Sequence, residues 1–162
     1  MEYRIEKATG ADLPRILEIY AIAREFMAKT GNPTQWGNNY PPVAMLEADI
    51  PAGNLYVVED DVIHGVFAWF TEPDPTYGYI EDGAWLDDSP YGTLHRVAAD
   101  GTGGVFAAVL AFALEQNRHV RIDTHADNRV MQHVLEKYGF TRTGIIYLED
   151  GDPRIAYQKV RE

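Results

Sequence analysis

The sequence predicts an α/β fold with a mixed, mostly antiparallel sheet and helices on both faces. Three observations carry this. β-rich hairpins flank the middle of the chain, at 55–70 and 145–159, and pair antiparallel. Between them a strand–helix–strand unit from Thr93 to Thr124 requires a right-handed parallel crossover. Runs with helical apolar spacing separate the strands.

In chain order, Tyr3 to Ala8 alternates polar and apolar residues and predicts a first strand. Thr9 and Asp12 mark a helix start, after which Leu13, Ile16, Leu17, Tyr20, Ala23, Phe26 and Met27 keep helical spacing until Gly31. Asn32 to Pro42 holds Pro33, Gly37 and Pro41 and is a predicted loop; a short helix follows from Pro42 to about Ile50. Leu55–Val58 and Val62–Phe70 form a hairpin around Glu59-Asp60-Asp61. Glu72 to Gly78 is turn-rich, and Ile80–Leu86 and Thr93–Ala98 are predicted strands split by Asp87-Asp88-Ser89-Pro90. Asp100-Gly101-Thr102-Gly103-Gly104 leads into an apolar helix, Val105 to Gln116. Val120–Thr124 is a short strand, Asp127 or Asn128 caps the last helix, and Lys137-Tyr138-Gly139 ends it. Ile145–Leu148 and Arg154–Lys159 make the closing hairpin. With neither repeat nor linker in view, 1–162 reads as one domain.

The net charge of -11 argues against nucleic-acid binding, which needs a basic surface, and mildly favours a cationic partner. Cysteine is absent, which removes disulfides, thiolate metal sites and a cysteine nucleophile. The first residues lack an apolar leader-like run, and Val105 to Leu114 is about half a membrane span. The expectation is a cytoplasmic chain with no membrane partner.

Chemistry concentrates in the middle. Glycines between a strand and a helix let the backbone turn tightly and leave the helix's first N–H groups facing outward, an anion cradle suited to a pyrophosphate. Gly101-x-Gly103-x-x-Phe106, with Asp123 about twenty residues on, also imitates a dinucleotide fingerprint. Phe106 stands where helix packing wants Gly or Ala, and too little chain follows for a second nucleotide half.

Asp127-Asn128, then Met131 and Leu135-Glu136-Lys137-Tyr138-Gly139-Phe140, resembles the signature after the fifth strand of GNAT acetyltransferases. Glu6-Lys7-Ala8-Thr9-Gly10-Ala11-Asp12-Leu13 looks like a GNAT start, so the resemblance spans nearly the whole chain. His95-Arg96, Arg121 to His125 and Gly151-x-x-Arg154 are similar to a bacterial subgroup of uncertain substrate. Two departures stand out. The acyl-CoA loop pattern is matched only at Gly104, or in another register at Gly101 and Gly103. Leu135 occupies the position of the tyrosine that often protonates the leaving thiolate.

The resemblance implies a GNAT domain whose strands 4 and 5 splay apart, with acetyl-CoA as co-substrate and no metal. Val97, Ala98 and Ala99 would pair with the pantetheine arm and polarise the acetyl oxygen; Gly101, Thr102, Gly103, Gly104, Val105, Phe106 and Asn128 would complete the cofactor site. The reaction implied is direct attack of an amine on the thioester in a ternary complex. Candidate bases are His95, Asp123 and His125, and strand alternation puts Asp123 and His125 on one face. Trp36, Tyr79, Glu81, Asp82 and Trp85 are candidates for holding a small-molecule or peptide amine through cation–π and ion-pair contacts. A homodimer is expected by analogy only. Four rival readings stand beside it: a non-catalytic acyl-CoA-binding module, a metal enzyme built on His95, Asp123 and His125, a dinucleotide-binding oxidoreductase, and a serine hydrolase. Ser89 is the only serine and precedes Pro90, which disfavours the last.

Overall fold

The computed structural model describes residues 2–161. Strand β1 (Arg4–Lys7) leads to helix α1 (Leu13–Lys29), which begins after Asp12 accepts the Thr9 N–H at 2.9 Å. Helix α2 (Val43–Ala52) closes on left-handed Gly53 and leads to β2 (Leu55–Glu59) and β3 (Ile63–Phe70). Then come β4 (Gly92–Ala99), α3 (Val105–Gln116), β5 (His119–Thr124), α4 (Arg129–Lys137), β6 (Thr141–Tyr147) and β7 (Pro153–Val160). The strands form one sheet in the order β1-β2-β3-β4-β5-β7-β6, in which only the β4–β5 pair is parallel.

Strand alternation sorts the core into two layers. Val58, Phe67, Trp69 and Leu94 point to one face and bury Val105, Val109 and Leu110 of α3 and Leu135 of α4. Leu55, Val57, Val66, Ala68 and Ala98 point to the other and bury Ile16, Ile19 and Tyr20 of α1 and Leu46 of α2. Helices therefore cover both faces, as the sequence predicts.

Two expectations need correction. Ile80–Leu86 is not a strand; its one ladder contact is the bridge Glu81↔Ile145. The run breaks at Asp82, whose φ is 58°, and at Gly83, which lies so close to Thr143 that a Cβ would sit 1.9 Å from its carbonyl oxygen. The sheet thus has seven strands, not eight. Of the two proposed caps for α4, Asn128 does the work: its Oδ1 accepts the Met131 N–H at 3.0 Å.

Residues 71–91 connect β3 to β4 and bury Tyr77 against Ile146 of β6 and Ala156 of β7. No helix among the described residues is long and apolar enough to cross a membrane.

Candidate functional site

Strands β4 and β5 pair only at Gly92↔Val120 and Thr93↔Arg121, and then part. The cause lies in β4. Ala68 faces His95 and Val66 faces Ala98, so Phe67 alone opposes both Arg96 and Val97. This bulge bends the strand, with Arg96 at a φ of 53°. It is clamped from the α1–α2 side: Tyr20 Oη donates to the Arg96 carbonyl at 2.8 Å, and the Arg96 guanidinium holds Asp49 at 2.5 Å and lies over Phe70. Burial first of all pushes the Tyr20 hydroxyl far above its ordinary range, so it stays a donor.

Past the bulge, Asp100 donates its N–H to His64 of β3 at 2.9 Å. Alternation along the strand then turns the N–H groups of Val97 and Ala99 to the opposite edge, into the gap. Both parting strands run into helices, so the N-termini of α3 and α4 flank the open end.

Gly104, at a φ of 83°, begins α3, and Gly101 has a φ of 98°. A Cβ at Gly101 or Gly103 would meet nothing within 4 Å, so the loop's outer surface is open to a ligand. The loop is anchored from below. Asp100 accepts from Arg15 at 2.8 Å, from the Thr102 N–H at 3.0 Å, and meets His64 Nδ1 at 2.8 Å. His64 Nε2 in turn meets Asp60 at 2.9 Å. The Asp100 hydrogen bond, and then that of Asp60, raise the His64 pKa above its usual value against the opposing effect of burial. Tyr3 Oη donates to the Gly103 carbonyl at 2.6 Å.

On the α1 side the gap opens into a cavity of about 550 Å³. His95 and Asp123 both line it. Extending the Thr93↔Arg121 register puts them opposite each other across the gap. His95 Nε2 is 2.8 Å from Asp74 Oδ2, while Asp74 Oδ1 accepts the Thr76 N–H and hydroxyl at 2.8 and 2.7 Å. Burial would raise the Asp74 carboxyl, but His95 and Thr76 outweigh it and hold it at about 2. The carboxylate therefore fixes the imidazole with its proton on Nε2 and leaves Nδ1 as the free acceptor. Asp123 Oδ2 accepts from Tyr77 Oη at 2.7 Å, and burial keeps that phenol protonated.

Of the other expected residues, Trp36, Val97 and Asn128 line the cavity and His125 does not. Strand β5 ends at Thr124, which frees His125 from alternation; its Nδ1 accepts the Asp127 N–H at 2.9 Å. Asn128 Nδ2 donates to Gln35 at 3.0 Å, tying the 30–42 loop to α4. Tyr79, Glu81, Asp82 and Trp85 lie outside the cavity lining. Tyr79 is exposed, Glu81 binds the Tyr147 hydroxyl, and Trp85 donates to the Tyr77 carbonyl while stacking on Arg121. Sequence reasoning missed Asp74 and the cavity's acidic rim of Glu149, Asp150 and Asp152, which it read as turn residues. No cluster of three or more His, Asp or Glu side chains among the described residues is arranged to hold a metal.

No protein-family model and no curated protein matches this chain. Solved structures do. A GNAT-family acetyltransferase from Streptococcus agalactiae is 30% identical with a TM-score of 0.89, over 99% of this chain and 96% of its own. One from Listeria monocytogenes is 19% identical with a TM-score of 0.71, over 99% and 95%. An acetyltransferase from Salmonella typhimurium, solved with its cofactor acetyl-CoA, shares the fold at 18% identity and a TM-score of 0.62, over 99% and 94%. With a bulged strand parting from its neighbour, a glycine turn at the opening and a relative matched end to end, the chain belongs to the GNAT family of acetyltransferases.

Proposed function

We propose that this protein moves an acetyl group from acetyl-CoA to a primary amine by direct attack, as one acyltransferase domain. The observation that carries the reading is the gap between β4 and β5, which joins an edge of free N–H groups to a cavity holding an oriented histidine. The residues fit the co-substrate. The open glycine turn and the N-terminus of α3 offer amide donors to a diphosphate, and the edge at Val97 and Ala99 offers strand-like pairing to a pantetheine arm. Acetyl-CoA supplies a thioester carbonyl to the amine and a thiolate leaving group.

The chain's own residues do the rest. An N–H at Val97 or Ala99 polarises the acetyl oxygen, a contribution on the order of 3 kcal/mol for one oriented donor. Asp123 and the acidic rim draw in the ammonium ion. His95 Nδ1, with its ring held by Asp74, takes one proton from the ammonium ion and frees the nitrogen lone pair. The amine then attacks, and as the N–C bond forms and the C–S bond breaks the second nitrogen proton passes to water. His125, turned to the Asp127 N–H, has no part in this route. Leu135 is fully buried in the core, Tyr138 packs on Phe106, and Tyr147 binds Glu81, so none of these donates to the thiolate in this scheme. The thiolate leaves unaided.

Two measurements test the reading. Acetyl-CoA raises the melting temperature while NAD does not. CoA is released on addition of amines. Stabilisation by acetyl-CoA without CoA release from any amine points instead to a non-catalytic acyl-CoA-binding module.

A further inference from the structure

The cavity contains a buried cation that the acetyl-transfer route leaves unused. The Arg154 side chain, on β7, is only 6% exposed yet lines the cavity. Among the described residues it makes one hydrogen bond, from Nη1 to the adjacent Pro153 carbonyl at 2.9 Å, and its nearest carboxylate, exposed Asp152, stands off at 3.9 Å. A guanidinium carries five donors, and those of Arg154 left without a protein partner open into the cavity instead of being sealed in the core. Such a group is built to receive an anion.

Its position says which anion. Asp123 lies opposite Ala156 across the β5–β7 ladder, and Arg154 is two residues from Ala156 on the same face. Asp123 and Arg154 are therefore diagonal neighbours, about 7–8 Å apart at the backbone. They form no ion pair with each other: Asp123 Oδ2 is taken by Tyr77, and its other oxygen remains for a ligand. His95 faces Asp123 from across the gap. A carboxylate that binds ammonium thus stands beside a guanidinium that binds carboxylate, at the point where the reactive amine must sit. The acidic rim of Glu149, Asp150 and Asp152 repels a bare anion, so the negative group must arrive on a molecule that also carries a positive charge.

We infer that the acceptor is a free α-amino acid, with its ammonium at Asp123 and His95 and its carboxylate at Arg154. This rests on the acetyltransferase reading and narrows it. His95 takes one proton from the amino acid's ammonium group, the freed amine forms the new amide bond as the thioester C–S bond breaks, and the second nitrogen proton passes to water. Peptide N-termini, which lack an adjacent carboxylate, and simple alkyl amines leave the guanidinium without its partner and are poorer acceptors.

The test is steady-state CoA release with the standard L-α-amino acids, their amides and their decarboxylated amines. The expected result is at least one amino acid whose kcat/KM exceeds that of its amide and its amine by tenfold or more. In Arg154→Gln the acid-to-amide ratio falls to about one, and in Arg154→Lys, which keeps the charge without the fork, it falls part of the way. An unchanged acetyl-CoA thermal shift shows that each variant is folded and loaded. If Arg154→Gln does not fold, the wild-type ratio and the lysine variant still decide. Wild-type turnover of amides or amines as fast as the acids overturns the inference and leaves acetyl transfer standing. Acetyl-CoA stabilisation with no turnover anywhere in the panel also overturns it. Absence of acetyl-CoA binding overturns the acetyltransferase reading itself.

Discussion

The Asp74–His95 pair gives the sharpest test of the proposed chemistry, through the substitution Asp74→Asn. The Asp74 Oδ1 is committed to the Thr76 N–H and hydroxyl at 2.8 and 2.7 Å. An asparagine keeps its carbonyl oxygen there and must turn its NH₂ toward His95 Nε2, now 2.8 Å from Oδ2. Nε2 then becomes the acceptor, the ring proton moves to Nδ1, and the lone pair aimed at the amine is lost. Shape, burial and the glycine turn are untouched. Since a positioned base contributes roughly 10²–10⁴ in rate, kcat should fall by about 10²–10³, or about 3–4 kcal/mol of barrier. Acetyl-CoA affinity, measured by calorimetry, should hold within about twofold, because the Asp74 side chain bonds His95 and Thr76 and none of the glycine turn. A kcat within about threefold of wild type, in a folded protein that binds acetyl-CoA, would refute the role given to His95. The same variant has a stability signature. The Asp74 carboxyl is held at about 2 against an ordinary 3.8, so its stabilisation is present above that ordinary value and is lost as pH falls toward 2. Solvent reaches the pair, which limits this to about 1 kcal/mol, and Asp74→Asn should lack the acid-side loss.

Three further outcomes follow from the geometry. The raised His64 pKa means its stabilisation is complete below 6.5 and disappears as pH rises through the folded value. Wild-type melting temperature and acetyl-CoA affinity should therefore both fall on the alkaline side, and His64→Gln should flatten both profiles. Leu135→Tyr, which restores the usual acid's residue type, should leave kcat unimproved. Leu135 is 0% exposed, so the larger ring overpacks the core at a cost of about 1–3 kcal/mol in chemical denaturation. Gly104→Ala imposes a Cβ on a φ of 83°, costing about 1–2 kcal/mol, and should weaken acetyl-CoA binding in the same thermal-shift series.

The fold was legible where local signals agree with tertiary packing. Thr9 and Asp12, the Gly101–Gly104 turn, Asn128 and Gly139 are all chemical punctuation, and each sits at an element boundary in the structure. Residues 80–86 were misread because an apolar run beside aromatics looks like a strand. What broke it was a close approach of Gly83 to Thr143, some sixty residues away, to which local pattern is blind. The site was half legible for the same reason. His95 and Asp123 were found from strand alternation, which is local. Asp74 reached His95 through the path of a loop, and Glu149, Asp150 and Asp152 reached the cavity through the placing of a hairpin. His125 lies outside the cavity lining because strand alternation stops at Thr124, the last residue of β5.

The clamp on the bulged strand has a consequence for how such an enzyme changes. Tyr20, Asp49 and Phe70 fix the bend at Arg96 from one side of the sheet, whereas the opposite wall of the cavity comes from Asp74, Asp123 and the hairpin at 148–154. The two sets meet at His95, whose ring packs beside Phe70 and bonds Asp74. In the proposed reaction, change confined to the 148–154 hairpin, away from that junction, can therefore redraw the acceptor wall while the bend behind the acyl-presenting edge keeps its supports.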